Sequence, residues 1–236
     1  PLAESARTVL AVFPKREDCC KAAAAMARSP LCPAAVEVIS SGAMNRLAMP
    51  ELSGRADAHL LAVLFEGKRQ VVAAVTRSAE AELRSAAAEA RVLDAGAARR
   101  LWKGVGELLH GAEARLQIRV NVPMSEVERV LAHIAQAARA RDRRAEVVCH
   151  YGLGVVTANI DVDQSTELEV ARELVALRTG IAEQGGSVVL SRASKQTKDE
   201  LDVWGARPET LDLMRRLKQE FDPRGVFAGG RFVGGL

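Results

Sequence analysis

One order of segments governs what this chain can fold into. A strand, a helix, two strands, a helix and a strand occur over residues 7–94 and occur again over residues 115–191. In the first pass Arg7–Phe13 is apolar and β-branched, and Lys15–Arg28 is an Ala-rich helix stopped by Pro30 and Pro33. Ala35–Ser40 and His59–Glu66 are strands, separated by a loop over Ser41–Ala58 that holds Gly, Met, Asn and Pro. A helix over Gln70–Ala90 and a short strand, Arg91–Asp94, complete the unit. A further helix, Ala95–Leu109, carries Trp102 and leads into the second pass.

There, Arg115–Val122 is a strand, and Ser125-Glu-Val-Glu128 has the spacing of a capping box that opens a helix. Val127, Val130, Leu131, Ile134 and Ala138 fall on one face of it. Glu146–His150 is a strand, Gly152 and Gly154 make a turn, and Val155–Val162 returns antiparallel. Thr166-Glu-Leu-Glu169 is a second capping-box pattern, with Leu168, Ala171 and Val175 expected inward. Gly185-Gly186 ends that helix, and Ser187–Ser191 is the last strand. The order is that of a ferredoxin-like split βαβ unit. The expected fold class is α+β: duplicated units side by side, one antiparallel sheet of about eight strands, helices packed on one face, and a C-terminal helical segment. Residues 1–193 form the sheet domain on this reading, and residues 194–236 form a helix and Gly-rich tail.

Composition removes several classes of function. The net charge is +3 and aromatics are 3% of residues, so neither a basic stripe nor a set of stacking rings is available for nucleic acid. Hydrophobic residues make up 48%, enough for a sizeable core, and with balanced charge this excludes disorder as the main state. No apolar run approaches the roughly 20 residues that a bilayer requires. The first residues, Pro1-Leu2-Ala3-Glu4-Ser5, show no basic region followed by an apolar one and no initiating Met, so the expectation is a trimmed piece of something longer. Cys19, Cys20, Cys32 and Cys149 include no CxxC pair and read as buried thiols of a reducing cytoplasm.

The tail differs in kind. Asp202-Val-Trp-Gly205 is a turn, Pro208 suits a first helical position, and Glu209–Phe221 is amphipathic with Leu211, Met214, Leu217 and Phe221 expected to face in. Asp222-Pro-Arg-Gly225 stops the helix, and Gly229, Gly230, Gly234 and Gly235 crowd the end around Arg231. That composition lets backbone approach another group closely, or it is a frayed terminus.

Asp222-Pro223-x-Gly225, then Gly230-Arg231, resembles the C-terminal signature of FAD-linked oxidases, with Ala228-Gly229 where that family has Asn-Pro. Ser29-Pro-x-x-Pro-x-x-x-Glu37 resembles a segment near the start of the family's C-terminal domain, and Gly186–Arg192 followed by Val203-Trp-Gly205 is most similar to the glycolate oxidase FAD-binding subunit branch. The resemblance covers nearly the whole chain. It implies a cap or substrate domain whose FAD-binding domain is absent, so FAD is held mainly by the missing part. The intact enzyme would oxidise a small 2-hydroxy acid such as glycolate and pass electrons from flavin onward, with an iron–sulfur subunit as a possible partner. The location implied is cytoplasmic, with peripheral attachment to the inner membrane through partner subunits as a possibility. Exposed apolar surface left by a missing domain could also drive a homodimer.

His150-Tyr-Gly-Leu-Gly-Val-Val-Thr157 is the leading candidate site. It resembles the H-x-G-D-G-x-x-H pattern of metal-dependent D-lactate and D-2-hydroxyglutarate dehydrogenases, but Leu153 replaces the Asp, Thr157 replaces the second His, and no E-H-G follows. One imidazole does not make a divalent site, so no catalytic metal is expected. His150 could instead face the substrate carboxylate or take the hydroxyl proton; a strand-end His making one structural bond is the plain alternative. Gly152-x-Gly154 lacks the third Gly and the following helix of a dinucleotide fingerprint. Arg119 and Asn121 share a strand face and Arg192 ends another strand; a carboxylate needs such guanidinium donors, although surface ion pairs are the plain alternative. By the resemblance, Gly230 and Arg231 lie on the flavin side. Arg139-Ala-Arg-Asp-Arg-Arg144 reads as a solvated helix end. Trp102 and Trp204 read as packing or docking residues. The rival reading for the whole chain is a stand-alone ferredoxin-like binding or regulatory module without catalysis.

Overall fold

The computed structural model describes residues 3–47, 49, 52, 57–110, 114–140, 143, 145–205 and 208–236. The first unit holds β1 (Ser5–Phe13), α1 (Arg16–Ala27), β2 (Ala35–Ile39), β3 (His59–Gly67), α2 (Arg69–Ala86) and β4 (Glu89–Val92). A linking helix α3 (Ala95–His110) follows. The second unit holds β5 (Leu116–Asn121), α4 (Val127–Arg139), β6 (Ala145–His150), β7 (Val155–Ile160), α5 (Glu167–Val175), α6 (Arg178–Ala182) and β8 (Ser187–Arg192). Short α7 (Lys195–Glu200) and α8 (Leu211–Phe221) complete the order.

All eight strands form one antiparallel sheet in the order β4-β1-β3-β2-β6-β7-β5-β8. Within each unit the last strand pairs the first, the first pairs the third, and the third pairs the second. The units join edge to edge through β2 and β6, where Glu37 opposes His150 and Ile39 opposes Val148. This is the expected α+β architecture.

The helix layers correct the expectation of a single covered face. One face buries Val9, Phe13, Val63, Ile118, Val120 and Ile160 under α1, α2, α4, α5 and α6. The other face is also covered, chiefly over the first unit and as far as β6: Leu10, Val12, Leu60, Ala62 and, from the second unit, Val148 pack against Leu101, Val105 and Leu108 of α3 and against a 3-10 turn over Ser41–Leu47. The reason lies in the strands. Val9 to Phe13 and Leu60 to Val63 are apolar without alternation and buried, which is the pattern of a strand covered on both faces. The rest of the loop expected over Ser41–Ala58 falls largely on residues 48, 50–51 and 53–56, outside the described residues.

The capping boxes do not form. Ser125 sits inside a 3-10 turn over Met124–Glu126 whose amide bond runs from Glu126 N to the Pro123 carbonyl, and Thr166 is already helical, its hydroxyl donating to the Asp163 carbonyl at 3.3 Å. On α4 the expected face is the buried one. On α5 the buried face is Val170, Ala171 and Leu174, with Leu168 and Val175 half-buried, because Glu167 turns in to accept the Ser194 amide at 2.6 Å. Pro208 precedes the helix rather than opening it, its carbonyl accepting the Leu211 amide at 3.0 Å. Cys19, Cys20 and Cys149 are buried as expected, whereas Cys32 is exposed. Burial holds the Cys20 thiol at about 12, the nearby Glu128 carboxylate adding to the shift. Among the described residues no helix is long and apolar enough to cross a membrane.

Candidate active-site face

The face of the second unit away from α4 and α5 is largely polar and partly open, and strand register arranges it in rows. Glu37, His150, Val155, Asn121 and Ser187 oppose one another across β2, β6, β7, β5 and β8. The next row is Val148, Thr157, Arg119 and Val189; beyond it come Glu146, Asn159, Gln117 and Arg192, where a bulge in β8 brings Arg192 into line. Directly opposed residues point to the same face, so every polar side chain here is on the side away from α4 and α5.

The third row closes the end of α3. The last carbonyls of a helix lack intrahelical partners. Asn159 Nδ2 donates to the Leu108 carbonyl at 2.6 Å, Gln117 Nε2 to the Leu109 carbonyl at 3.1 Å and to Asn159 Oδ1 at 2.8 Å, and Arg192 Nη2 to the His110 carbonyl at 3.4 Å. The structure thus puts Arg192, expected to bind substrate, at a helix end, apart from Arg119.

The first row starts with a buried pair. His150 Nδ1 and Glu37 Oε1 are 2.6 Å apart, and Glu37 is 3% exposed, with its Oε2 unpartnered among the described residues. The Glu37 hydrogen bond raises the His150 pKa above its ordinary value, against burial and against the positive charge of Arg119. Burial raises the Glu37 pKa, with the histidine working against it. Sequence reasoning missed Glu37 as a site residue, although it is the closing Glu of the Ser29-Pro-x-x-Pro segment. The following turn is fixed by geometry: Gly154 has φ +63°, and a Cβ there would come within 1.7 Å of the Val122 carbonyl oxygen. Leu153 is 78% exposed, while Thr157 is buried opposite Arg119. Among the described residues no three His, Cys, Asp or Glu side chains converge as a metal site would require.

Arg119 and Asn121 open onto a groove of about 1190 Å³, walled by Val189 and Ser191 of β8, Lys198 of α7, Asp202–Gly205, and Gly230, Arg231 and Phe232 of the tail. Four of the six residues singled out from sequence therefore meet here: Arg119, Asn121, Gly230 and Arg231. Asn121 Nδ2 donates to Ser187 Oγ at 3.1 Å. Trp204 and Phe232 pack edge to face, centroids 5.1 Å apart, and join the Asp202 turn to the tail. Arg178 supports that turn from below, donating to the carbonyls of Val188 (3.1 Å) and Val203 (3.0 Å). Lys198 is a groove cation that sequence reasoning did not find; it lies on a short charged helix with no distinguishing pattern.

Asp222 builds the tail's turn. Its carboxylate accepts from the amides of Val226 (2.8 Å) and Phe227 (3.0 Å) and from Lys218 Nζ (2.6 Å), and the ammonium, chiefly, holds its pKa below the usual carboxylate range. The expected inward face of α8 is a correction. Leu211 is buried and Met214 half-buried, but Leu217 and Phe221 are exposed, Phe221 by 79%, and they continue into exposed Val226 and Phe227. The helix is amphipathic, and this chain supplies nothing for most of its apolar face among the described residues. Trp102, by contrast, is engaged, its Nε1 donating to Thr8 Oγ1 at 2.9 Å. The basic run after α4 falls partly on residues 141, 142 and 144, outside the described residues; Arg143 pairs with Asp163.

Residues 2–232 match the family model of FAD linked oxidases, C-terminal domain, and the chain belongs to that family. Among solved structures it is similar to p-cresol methylhydroxylase with substrate bound (13% identity, TM-score 0.63, covering 98% of this chain and 53% of that one). It is also similar to 4-ethylphenol oxidase from Gulosibacter chungangensis (14%, TM-score 0.62, 98% and 54%) and to alkyldihydroxyacetonephosphate synthase (15%, TM-score 0.54, 94% and 44%). At these identities the likeness is one of fold. The chain spans about half the length of those proteins. No curated protein sequence matches it.

Proposed function

We propose that this chain is the substrate-facing part of a flavoenzyme that oxidises a small 2-hydroxy acid such as glycolate. The observation that carries the reading is the groove that joins Arg119 and Asn121 of the sheet to Gly230 and Arg231 of the tail. A 2-hydroxy acid offers a carboxylate and a hydroxyl. Arg119 provides a planar donor for the first, and Asn121 an amide for the second. His150, held at Nδ1 by a buried carboxylate and carrying a raised pKa, is better suited to attract the carboxylate as an imidazolium than to take a proton as a neutral base.

The residues present fit one edge of a flavin. Arg231, Lys198 and the open backbone at Gly230, where a Cβ would meet nothing within 4 Å, offer donors to ring carbonyls, and Trp204 with Phe232 offers an apolar wall. Bound FAD supplies the two-electron oxidation; the protein's share is orientation and charge placement. On this reading an FAD-binding domain of the same polypeptide covers Leu217, Phe221, Val226 and Phe227, and an iron–sulfur subunit is a candidate electron acceptor. A cytoplasmic location, peripheral to the inner membrane through such a subunit, goes with the same reading. A second copy of this chain is the other occupant that the apolar strip could take.

The test is flavin content, comparing this chain with a version extended by its own upstream coding sequence. Stoichiometric FAD in the long form with little in the short form, and flavin bleaching by glycolate under anaerobic conditions, are expected. Absence of flavin from both forms would overturn the reading and leave a binding module.

A further inference from the structure

A carboxylate lies buried at the edge of the polar face of the second unit, and it comes from the first unit. Glu37 sits on β2 directly opposite His150 of β6, where the two units join. It is 3% exposed, its Oε1 is 2.6 Å from His150 Nδ1, and its Oε2 has no partner among the described residues. A buried carboxylate is costly unless it is paired and hydrogen-bonded. In the otherwise apolar strand Ala35–Ile39, that pairing goes to one imidazole.

The contact fixes what His150 can offer. A ring held at Nδ1 turns Nε2 away from its anchor, and with the shared proton in the contact Nε2 keeps its own and is a donor. The His150 side chain is 30% exposed, so it is open to a ligand on this face. Two charged groups face the ring: Glu37 from β2, and Arg119 from the next row of β5. β7 presents Val155 and Thr157, which carry no charge. Beside it in the chain, burial holds the Cys149 thiol well above its ordinary value and pushes Tyr151 up to about 12, so both are neutral. The 3-10 turn and α3 pack on β6 at Val148, and Arg46 of that turn is paired with Glu146 at 2.8 Å; α4 lies on the other face. The Glu37 hydrogen bond outweighs burial and Arg119, so His150 stays charged further up in pH than a free histidine.

We infer, on the reading of this face as the substrate face, that Glu37 is a positioning residue: it acts through His150 to present a second cation beside Arg119, so that a carboxylate ligand binds tightly only while that imidazole is charged. The charge count gives the reason. With His150 charged, Glu37, His150 and Arg119 sum to one positive charge, and Nε2 and the guanidinium both donate. With His150 neutral, the buried carboxylate cancels Arg119 and the attraction for an anion is lost.

Two measurements are set side by side. The His150 titration midpoint is read by NMR in this chain, and the glycolate concentration for half-maximal anaerobic flavin reduction is read in the polypeptide extended upstream, both below and above the ordinary histidine pKa. Glycolate stays ionised throughout that range. In the parent, half-saturating glycolate is expected to be low on the acid side and to rise as pH passes the His150 midpoint. Glu37→Gln, of nearly the same shape and checked for folding by circular dichroism, should lower the midpoint and carry the break in the glycolate profile down with it, with flavin content unchanged. A merely structural Glu37 would alter stability or flavin content and leave the break in place. A midpoint that moves while the break stays would overturn the inference. So would a parent whose glycolate profile has no break at the His150 midpoint, a result that needs no variant to fold. A parent whose flavin glycolate does not bleach at any pH overturns the substrate reading itself, and this inference with it; the other two outcomes arise only in a parent that bleaches, so the two failures are told apart.

Discussion

The two units of the sheet share one order of elements and differ in what covers them. In the first, both faces are buried: α1 and α2 lie on one side, and α3 with the Ser41–Leu47 turn lies on the other. In the second, α4, α5 and α6 cover the same side, but on the opposite side α3 and the turn reach only Val148 of β6 and the end where Asn159, Gln117 and Arg192 hold the last carbonyls of that helix. The difference follows from one linking helix that lies mainly on the first unit and reaches only part of the second. It leaves a polar shelf of His150, Arg119 and Asn121 in an otherwise packed molecule, and the tail folds to meet that shelf. A repeated unit thus yields one structural half and one half with a face to spare.

The contrast can be broken most severely at its covered half. Leu101 is fully buried between α3 and the first unit, and Leu101→Ala should cost about 2–5 kcal/mol of stability, read as a lower urea midpoint with an unchanged slope. A loss under about 1 kcal/mol would mean that α3 is not a true layer. Next in size is the contact between the second unit and the end of α3. Asn159→Ala leaves the Gln117 amide and the Leu108 carbonyl short of a partner in a buried place, at about 1–3 kcal/mol by the same measurement.

The open half should behave in the opposite way. Arg119→Ala removes an exposed side chain and should change stability by no more than about 0.5 kcal/mol. A large loss there would make Arg119 a structural residue. The smallest and most specific effect concerns pH. The His150 pKa is raised in the folded protein, so the stability contributed by its pair with Glu37 is full below the ordinary histidine range and fades as pH rises through the raised value. Glu37→Gln should lower the His150 titration midpoint seen by NMR and flatten that part of the pH–stability curve. An unmoved midpoint would separate the two residues.

Much of this architecture was legible in the chain. Strand positions follow from short apolar runs bounded by Gly and Pro, and the fold class follows from their order. The second cover over β1 and β3 was also written there, since Val9–Phe13 and Leu60–Val63 are apolar at every position, but counting faces by helix periodicity alone does not reveal it. The capping boxes failed because Ser125 and Thr166 lie inside turns already bonded through their backbones, something spacing does not report. Arg119 and Asn121 were found because strand alternation puts them on one face; Glu37 was missed as a partner of His150 because the pairing of β2 with β6 is a contact between residues more than a hundred positions apart. The outward face of α8 was misread because amphipathicity shows that a helix has an apolar side, not that the same chain covers it.

The claim that the polar face of the second unit is the substrate face is tested most directly by the rate of anaerobic flavin reduction by glycolate, in the polypeptide extended upstream. Arg119→Ala is compared there with Arg84→Ala, a change at a surface pair with Glu80 on α2. The account predicts that Arg119→Ala needs at least about tenfold more substrate to reach half-maximal reduction, with flavin content unchanged, while Arg84→Ala behaves as the parent. Equal substrate dependence in both variants would contradict it.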